Sequence, residues 1–593
     1  MSEVLREYEL FDTQVVFWLA SCVCIQTGTC TFCNYQLVTF SRFVGHMIIK
    51  GKSLDVLLIT DEHTEDEDQS FITNKDMIRE GETFFSQSVK DKLDGLHARN
   101  SLLFPVEMDG EQVFQIRLPH RPSLALCDLA TVIDRAGYSV CVLDNVRTLP
   151  WRYEQLRSII QQKSPRVIGI STTFLMVSSY IKQLVKKLRE MAPDAKIILG
   201  GQTVRELSEL HDCADFAVFG EGEVAMLAIL KSLDGDRDPS TIPNIAFLDD
   251  EGQLQYGSSI EQGIMVEVPG KPFKARVDEE IPIADWSLYG RNRDGVYSIE
   301  FSRGCKYNCF YCTYDRGMNL RSLDSIRTEL VRNAEMGITK YRVADANFTD
   351  GPGRYKRYPH DICQLMIDLD LGLQWSCYSR VDDMTDELAD LLMRAGCFGV
   401  FFGVESGDDR ILKLMRKGHD VADSYKGIAI AQKHGLFVHS NFLVGYPGET
   451  RESYGNTLDF IERSRPDTVT LGIFFLPLRA PVNGPQFKDY ELDGFGLNWR
   501  HATMDSDTAR RLVAEGTSYL VDQGLVFGNE FEFQGMMSVG FSANDVQGIL
   551  KSRSHKRRSG LAVRKVADHC PSWLMKMAEQ NGRDVREMEL VIS

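Results

Sequence analysis

Between Val296 and Leu478, six near-continuous apolar segments alternate with helix-like ones, and this alternation restricts the chain to the α/β class. The strand-like segments are Tyr297–Phe301, Lys340–Ala344, Leu373–Tyr378, Phe398–Val404, Phe437–Val444 and Thr468–Leu476. Amphipathic patterns over Ser322–Gly337, His360–Asp370, Thr385–Gly396, Val421–Gly435 and Thr450–Arg465 separate them. Strands apolar on both faces need a parallel sheet covered by helices. Polar residues and glycines gather at their carboxyl ends, as in Asp345-Ala346-Asn347, Ser379-Arg380, Glu405-Ser406-Gly407 and Gly445-Tyr446-Pro447-Gly448. That is the end where α/β barrels build their sites. The expected architecture is a partial (β/α)6 barrel over 296–478.

Directly after the first of these strands comes Ser302-Arg303-Gly304-Cys305-Lys306-Tyr307-Asn308-Cys309-Phe310-Tyr311-Cys312, a C-x3-C-x2-C triplet. Three thiolates this close can hold one inorganic cluster. A closed zinc site takes four ligands, and ferredoxin-type clusters normally take four cysteines. A triplet therefore leaves one metal corner open to a small molecule. Packed free thiols are the plain alternative, but a loop rich in Gly, Asn, Lys and Tyr is an unexpected place for core residues. A zinc site with a distant fourth ligand lacks a second cysteine pair at ribbon-like spacing.

The triplet, with the aromatic Tyr311 before its last cysteine, resembles the signature of radical S-adenosylmethionine enzymes. The resemblance implies a 4Fe–4S cluster on Cys305, Cys309 and Cys312, with S-adenosylmethionine on the remaining iron and Tyr311 beside the cofactors. It also implies a TIM-type partial barrel. Gly403-Val404-Glu405-Ser406-Gly407, followed by Lys417-Gly418, is similar to a version common in this superfamily. By that resemblance Glu405 and Arg380 bind the ribose and carboxylate of S-adenosylmethionine, and Asp345 and Asn347 lie at its methionine or substrate side.

Upstream, residues 53–240 read as a Rossmann-like, doubly wound unit. Its strands are Leu54–Thr60, Tyr138–Leu143, Arg166–Ile170, Lys196–Leu199 and Phe216–Phe219, with helices Ser123–Gly137 and Ser178–Met191. No G-x-G-x-x-G follows the first strand, which argues against a dinucleotide site. Ser171-Thr172-Thr173, Gly200-Gly201-Gln202 and Gly220-Glu221-Gly222 stand at the strand ends, where such sheets bind ligands. These three stretches resemble the cobalamin-binding domain that precedes many radical S-adenosylmethionine barrels, and would contact cobalamin. A Rossmann-like domain without a ligand is the alternative. Asp144 is followed by Asn145-Val146-Arg147, so the histidine loop of mutase-type cobalamin proteins is absent and no lower axial ligand is named.

The 593 residues support several domains. Residues 1–52 are expected to form a leader, 61–121 an insertion opened by the acidic run Asp61–Asp68, 241–295 a linker, and 479–593 a mixed C-terminal region that, the resemblance implies, caps the barrel. Within the leader, Cys22, Cys24, Cys30 and Cys33 could close a zinc or auxiliary iron–sulfur site. Their apolar flanks favour buried thiols or a poorly ordered leader. In the tail His501, after Trp499, is the one candidate catalytic side chain, with packing as the alternative. Net charge −17 argues against nucleic-acid or membrane-surface binding, and the basic run Lys551–Arg558 reads as an exposed loop. Val15–Ile25 is too short to span a bilayer, and a 4Fe–4S site suits a reducing compartment; the expected location is the cytoplasm.

The family resemblance implies a cobalamin-dependent methyltransferase acting on an unactivated carbon or phosphorus of a small molecule. An external donor such as flavodoxin or ferredoxin would reduce it. Competing readings are a cobalamin-dependent cyclase or rearrangement enzyme, a cobalamin-free radical enzyme, and a non-catalytic iron–sulfur scaffold.

Overall fold

The computed structural model describes residues 53–60, 122–144, 150–173, 175, 178–261, 273–274, 281–289, 296–314, 317–351, 353, 356–478, 480–528 and 533–534, with the backbone of the hairpin Leu103–Met108 and Glu111–Arg117. Cys22, Cys24, Cys30 and Cys33, most of the 61–121 insertion and the run Lys551–Arg558 lie outside the described residues. All described residues belong to one compact unit.

The first sheet contains β1 (Val56–Thr60), β2 (Val140–Leu143), β3 (Val167–Ser171), β4 (Lys196–Gly200), β5 (Phe216–Val218), β6 (Ile245–Leu248) and β7 (Leu254–Tyr256), in the order β2-β1-β3-β4-β5-β6-β7. The first five run parallel, and the strand order reverses between β1 and β3. A crevice opens outside the carboxyl ends of strands at such a point. Every residue of β1 is buried, because helices cover both faces of the sheet.

The expected linker 241–295 is corrected by this sheet. β6 and β7 add antiparallel to β5, so the first domain continues to Tyr256. Strands of four and three residues carry too brief an alternation to read from sequence. Beyond them, Ile281–Tyr289 wedges against the helix Leu124–Arg135. Asp285 N donates to Thr131 Oγ1 at 2.8 Å, and the fully buried Trp286 meets Tyr297 edge-on with ring centroids 5.0 Å apart.

The second sheet holds β8 (Tyr297–Ile299), β11 (Lys340–Val343), β12 (Gln374–Ser379), β13 (Cys397–Glu405), β14 (Phe437–Val444) and β15 (Thr468–Ile473), all parallel and in sequential order. Alternate residues divide its two faces. Val400, Phe402 and Val404 pack under the helices, whereas Phe401 and His439 pair across the inner face. Helices start at side-chain caps that satisfy their first N–H groups, including capping boxes at Asp420–Asp423 and Thr450–Ser453.

Between β8 and β11 lies a small antiparallel hairpin, β9 (Ser302–Cys305) with β10 (Gly317–Leu320), which carries the cysteine loop. Its base is anchored by Arg321, whose Nη1 meets Glu329 at 2.6 Å and also donates to the carbonyl of Glu300 at 2.8 Å. Both side chains are almost wholly buried, at 2% and 1% exposure. Removing one partner of such a pair strands the other charge. Glu329→Gln is expected to cost about 3 kcal/mol of stability, seen as a lower urea midpoint under anaerobic conditions.

The C-terminal region was expected to cap the barrel. Its described part lies at both ends of the barrel: Val482 N donates to Phe310 O of the cysteine loop at 2.8 Å, and Val469 N donates to Val526 O at 2.9 Å beside the last strand. Phe533 packs against Phe398 and Phe437, with centroids 5.3 and 4.4 Å away, at the amino ends of their strands. That is the end opposite the cysteine loop.

Candidate active site

Cys305 ends β9, and Cys309 and Cys312 follow on the loop it starts. The loop is held by its backbone. Phe310 N donates to Met415 O at 2.9 Å, and Val482 N donates to Phe310 O at 2.8 Å. Cys309 is buried while Cys305 and Cys312 are partly open, and all three are free thiols. The Cys312 sulfur accepts the Tyr314 N–H at 3.4 Å. Among the described residues no group of three His, Cys, Asp or Glu side chains is drawn together as a closed metal site. The fit to an iron–sulfur cluster rests on the donor set: three soft sulfurs, two of them partly accessible, on one anchored loop.

Tyr311 and Glu405 are brought together. The Tyr311 hydroxyl donates to Glu405 Oε1 at 2.9 Å, and Lys417 Nζ donates to the same oxygen at 3.1 Å and to the Tyr311 hydroxyl at 3.0 Å. Glu405 closes β13 at φ +71°, a left-handed conformation uncommon outside glycine, where the register with β14 also slips. Backbone strain of this kind concentrates at sites where surrounding contacts hold a side chain in one direction. Gly403 makes room for the group. A Cβ there would stand 2.6 Å from Glu405 Oε1 and 3.3 Å from Lys417 Nζ.

Arg380 joins this group through Lys417, whose carbonyl accepts from Nη2 at 2.5 Å. Its guanidinium lies 3.8 Å from the Tyr307 ring centroid and pairs with Asp382 at 2.9 Å. Burial disfavours the Arg380 charge, but Asp382, Tyr307 and Cys309 together push its basicity upward. Asn347 accepts the Arg380 N–H at 3.1 Å and donates to Asp383 at 2.9 Å, so it orients the strand end that presents the guanidinium.

Asp345, expected beside the methionine or substrate, is turned to the chain itself. It accepts from Phe301 N at 2.8 Å and from Ser302 Oγ at 2.6 Å, bracing the entry to the cysteine loop. Burial pushes its carboxyl up to about 7.

In the first domain, Thr172 is also spent internally. Its hydroxyl donates to Gly200 O at 2.9 Å and accepts from Val204 N at 3.1 Å, tying β3 to the helix after β4. Ser171 Oγ reaches Thr173 at 3.5 Å. Gly201 sits at φ +103°, and a Cβ there would meet Thr173 Oγ1 at 2.7 Å and Thr173 N at 2.8 Å. Gly200 faces open space, whereas Gly222 packs on Leu129. Gln202 donates to Thr313 of the cysteine loop at 3.3 Å.

The two sets of residues meet at a cavity of about 330 Å³. Thr173, Gly201, Gln202, Gly220 and Glu221 line it from the first domain, and Ser302, Gly304 and Tyr314 line it from the cysteine loop. Glycine-bared backbone and small hydroxyls on one wall suit close approach by a large flat ligand.

His501, the candidate catalytic residue, is corrected by its surroundings. It is buried and stacked on Trp499, with centroids 5.1 Å apart and planes within 7°. Nε2 donates to Gly445 O at 3.0 Å and Nδ1 accepts from Thr503 Oγ1 at 3.0 Å. Both nitrogens are committed to holding the turn after β14. Sequence reading named Lys417 without a role and passed over Arg303, Tyr307 and Glu449. A lysine followed by glycine was the one visible signal for the first.

Glu449 lies under the same turn, fully buried, with Gly445 N donating to its Oε2 at 2.5 Å. Burial pushes its carboxyl from the ordinary 4.5 up to about 8. The folded chain therefore holds a proton that the unfolded chain releases. Stability complete below about 4.5 is lost as pH rises toward 8. Glu449→Gln is expected to flatten that dependence, measured as urea midpoints across the range.

Two family models match the chain: the radical SAM superfamily over residues 299–461 and the B12 binding domain over residues 121–230. An uncharacterized methyltransferase of Pyrococcus horikoshii is 27% identical over 404 residues, covering 65% of this chain and 82% of that protein. The cytidylyl-2-hydroxyethylphosphonate methyltransferase of Streptomyces wedmorensis is 26% identical over 396 residues, covering 58% and 73%. In fold, the chain is similar to the radical S-adenosylmethionine methyltransferase TsrM of Kitasatospora setae, solved with cobalamin and a [4Fe-4S] cluster bound. The TM-score is 0.53 at 18% identity, with 74% of this chain and 78% of that one covered. The chain thus joins a region matching the B12 binding domain to one matching the radical SAM superfamily, and the strand ends of the first open on the cysteine loop of the second.

Proposed function

We propose that the protein is a methyltransferase that moves a methyl group from cobalamin to an unactivated carbon, or to phosphorus, of a small molecule. The observation that carries this reading is the shared cavity, walled by the cobalamin-type strand ends on one side and the cysteine loop on the other. When bound, the cluster and S-adenosylmethionine supply one-electron chemistry, and the corrin supplies the methyl group.

The chain's own part is positional. Cys305, Cys309 and Cys312 would hold the cluster. Glu405, with its carboxylate fixed by Tyr311 and Lys417, and Arg380, fixed by Asp382, would orient S-adenosylmethionine. Thr173, Gly201, Gln202 and Gly220 would receive the corrin, and the closed interface would keep water from the reacting atoms. The names of the two relatives above support methyl transfer. Among the described residues no helix is long and apolar enough to cross a membrane. A reducing cytoplasm and a flavodoxin- or ferredoxin-like donor suit the cluster chemistry.

Anaerobic reconstitution with iron, sulfide and hydroxocobalamin, followed by mass spectrometry of candidate reactions, tests this reading. S-adenosylhomocysteine with a methylated product supports it. 5′-Deoxyadenosine with an unmethylated, rearranged product points to a cyclase instead. Turnover without bound corrin would indicate a cobalamin-free enzyme, and a reduced cluster that never cleaves S-adenosylmethionine would indicate a scaffold.

A further inference from the structure

Arg303 stands two residues before Cys305 and is fixed in register opposite Asn319 of β10. Its guanidinium meets four carboxylates. Nε pairs with Glu300 at 2.7 Å, Nη2 with Glu223 at 2.7 Å and with Asp128 at 3.1 Å, and Nη1 with Glu221 at 3.4 Å. Three of these belong to the B12-binding domain, on two separate elements: the helix Leu124–Arg135 and the segment that opens the helix Glu223–Leu233. The side chain is only 14% exposed. One planar fork thus joins the cysteine loop to two parts of the other domain, a geometry for which arginine's rigid donor array is suited.

The arrangement is asymmetric in charge. Four carboxylates crowd one guanidinium, and Asp128 Oδ1 is buried with no partner. Burial, reinforced by Glu223 and its acidic neighbours, holds Asp128 far above the usual carboxylate range in spite of Arg303. Without the guanidinium these groups would repel one another in a low-dielectric interface.

The same residues form the cavity wall. Arg303, Glu221 and Glu300 line it together with Gly201, Gly220 and Gly304. The segment bearing Glu221 and Glu223 therefore borders the site proposed for the corrin, and Arg303 ties it to the strand that ends in Cys305.

We propose that Arg303 is a positioning residue that couples cobalamin binding in the first domain to the geometry of the cluster loop. The proposal rests on the cofactor assignment above and goes beyond it. Tilting the Glu221–Glu223 segment moves the guanidinium, and the guanidinium moves the backbone two residues from a cluster ligand.

The test uses the full-length protein with its cluster reconstituted, titrated with hydroxocobalamin. Corrin absorption reads affinity, and the electron paramagnetic resonance signal and midpoint potential of the reduced cluster are recorded with and without corrin. In the natural protein cobalamin is expected to change the signal and the potential. Arg303→Gln is expected to abolish that response and to weaken cobalamin binding about tenfold or more, the scale for truncating one partner of a buried charge pair. Arg303→Lys, which keeps the charge but not the fork, should restore part of the affinity and little of the response. Glu223→Gln, which leaves the cysteine loop untouched, should reduce the response and serves if the arginine variants do not fold. A cluster indifferent to cobalamin in the natural protein, or an undiminished response in Arg303→Gln or in Glu223→Gln, overturns the coupling. Failure of the natural protein to bind cobalamin at all would instead sink the cofactor assignment.

Discussion

Replacing any one of Cys305, Cys309 or Cys312 by alanine is expected to remove the cluster and take S-adenosylmethionine cleavage to background. The three sulfurs are the whole donor set on the loop. Among the described residues no further His, Cys, Asp or Glu grouping offers substitutes. Losing even an outer-shell partner costs a metal site roughly 10- to 100-fold in affinity or activity, and loss of a direct ligand must exceed that. Iron and sulfide content, visible absorption and 5′-deoxyadenosine release measure the outcome. Cys213→Ala is the control, since that thiol belongs to the first domain and is only partly buried. Full cluster content in any of the three loop variants would overturn the ligand assignment.

Gly403→Ala is expected to weaken S-adenosylmethionine binding by at least about tenfold, equivalent to roughly 1.4 kcal/mol. The added methyl would stand 2.6 Å from Glu405 Oε1, closer than a carbon and an oxygen can approach. Relief requires moving the carboxylate, which breaks its bonds to Tyr311 and Lys417 together. Glu405 has little room to adapt, because its backbone is held at φ +71° between β13 and the following turn. Glu405→Gln should give a similar loss by another route, leaving Lys417 buried at 6% exposure without its anion. Equilibrium binding to the oxidised cluster form, scored separately from turnover, checks both. Normal affinity in both variants would exclude Glu405 from the S-adenosylmethionine site.

The longer barrel strands were legible because their apolar runs are extended enough to be seen: Phe437–Val444 is read and observed with the same bounds. The hairpin β9–β10 was not. Its eight residues are polar or glycine-rich, and its pairing answers to the needs of the cysteine loop rather than to burial. Strands β6 and β7 escaped for want of length, and the wedge Ile281–Tyr289 because one buried tryptophan leaves no periodic trace. His501 was ambiguous as a residue type, and only its two committed nitrogens assign it to support.

By itself the amino-acid order determined the α/β class and the succession of two largely parallel-sheet domains, and it singled out the three cysteines proposed as sulfur donors. Each of these is written in local patterns: burial period, strand-end composition, ligand spacing. What only the tertiary structure decided is which side chains act together. Tyr311 meets Glu405 across 94 positions, and Arg303 meets Asp128 and Glu221 across 175 and 82. No local pattern carries such pairings, because a charged residue's partner is set by how two domains pack, whereas periodicity records only which face of an element turns from water.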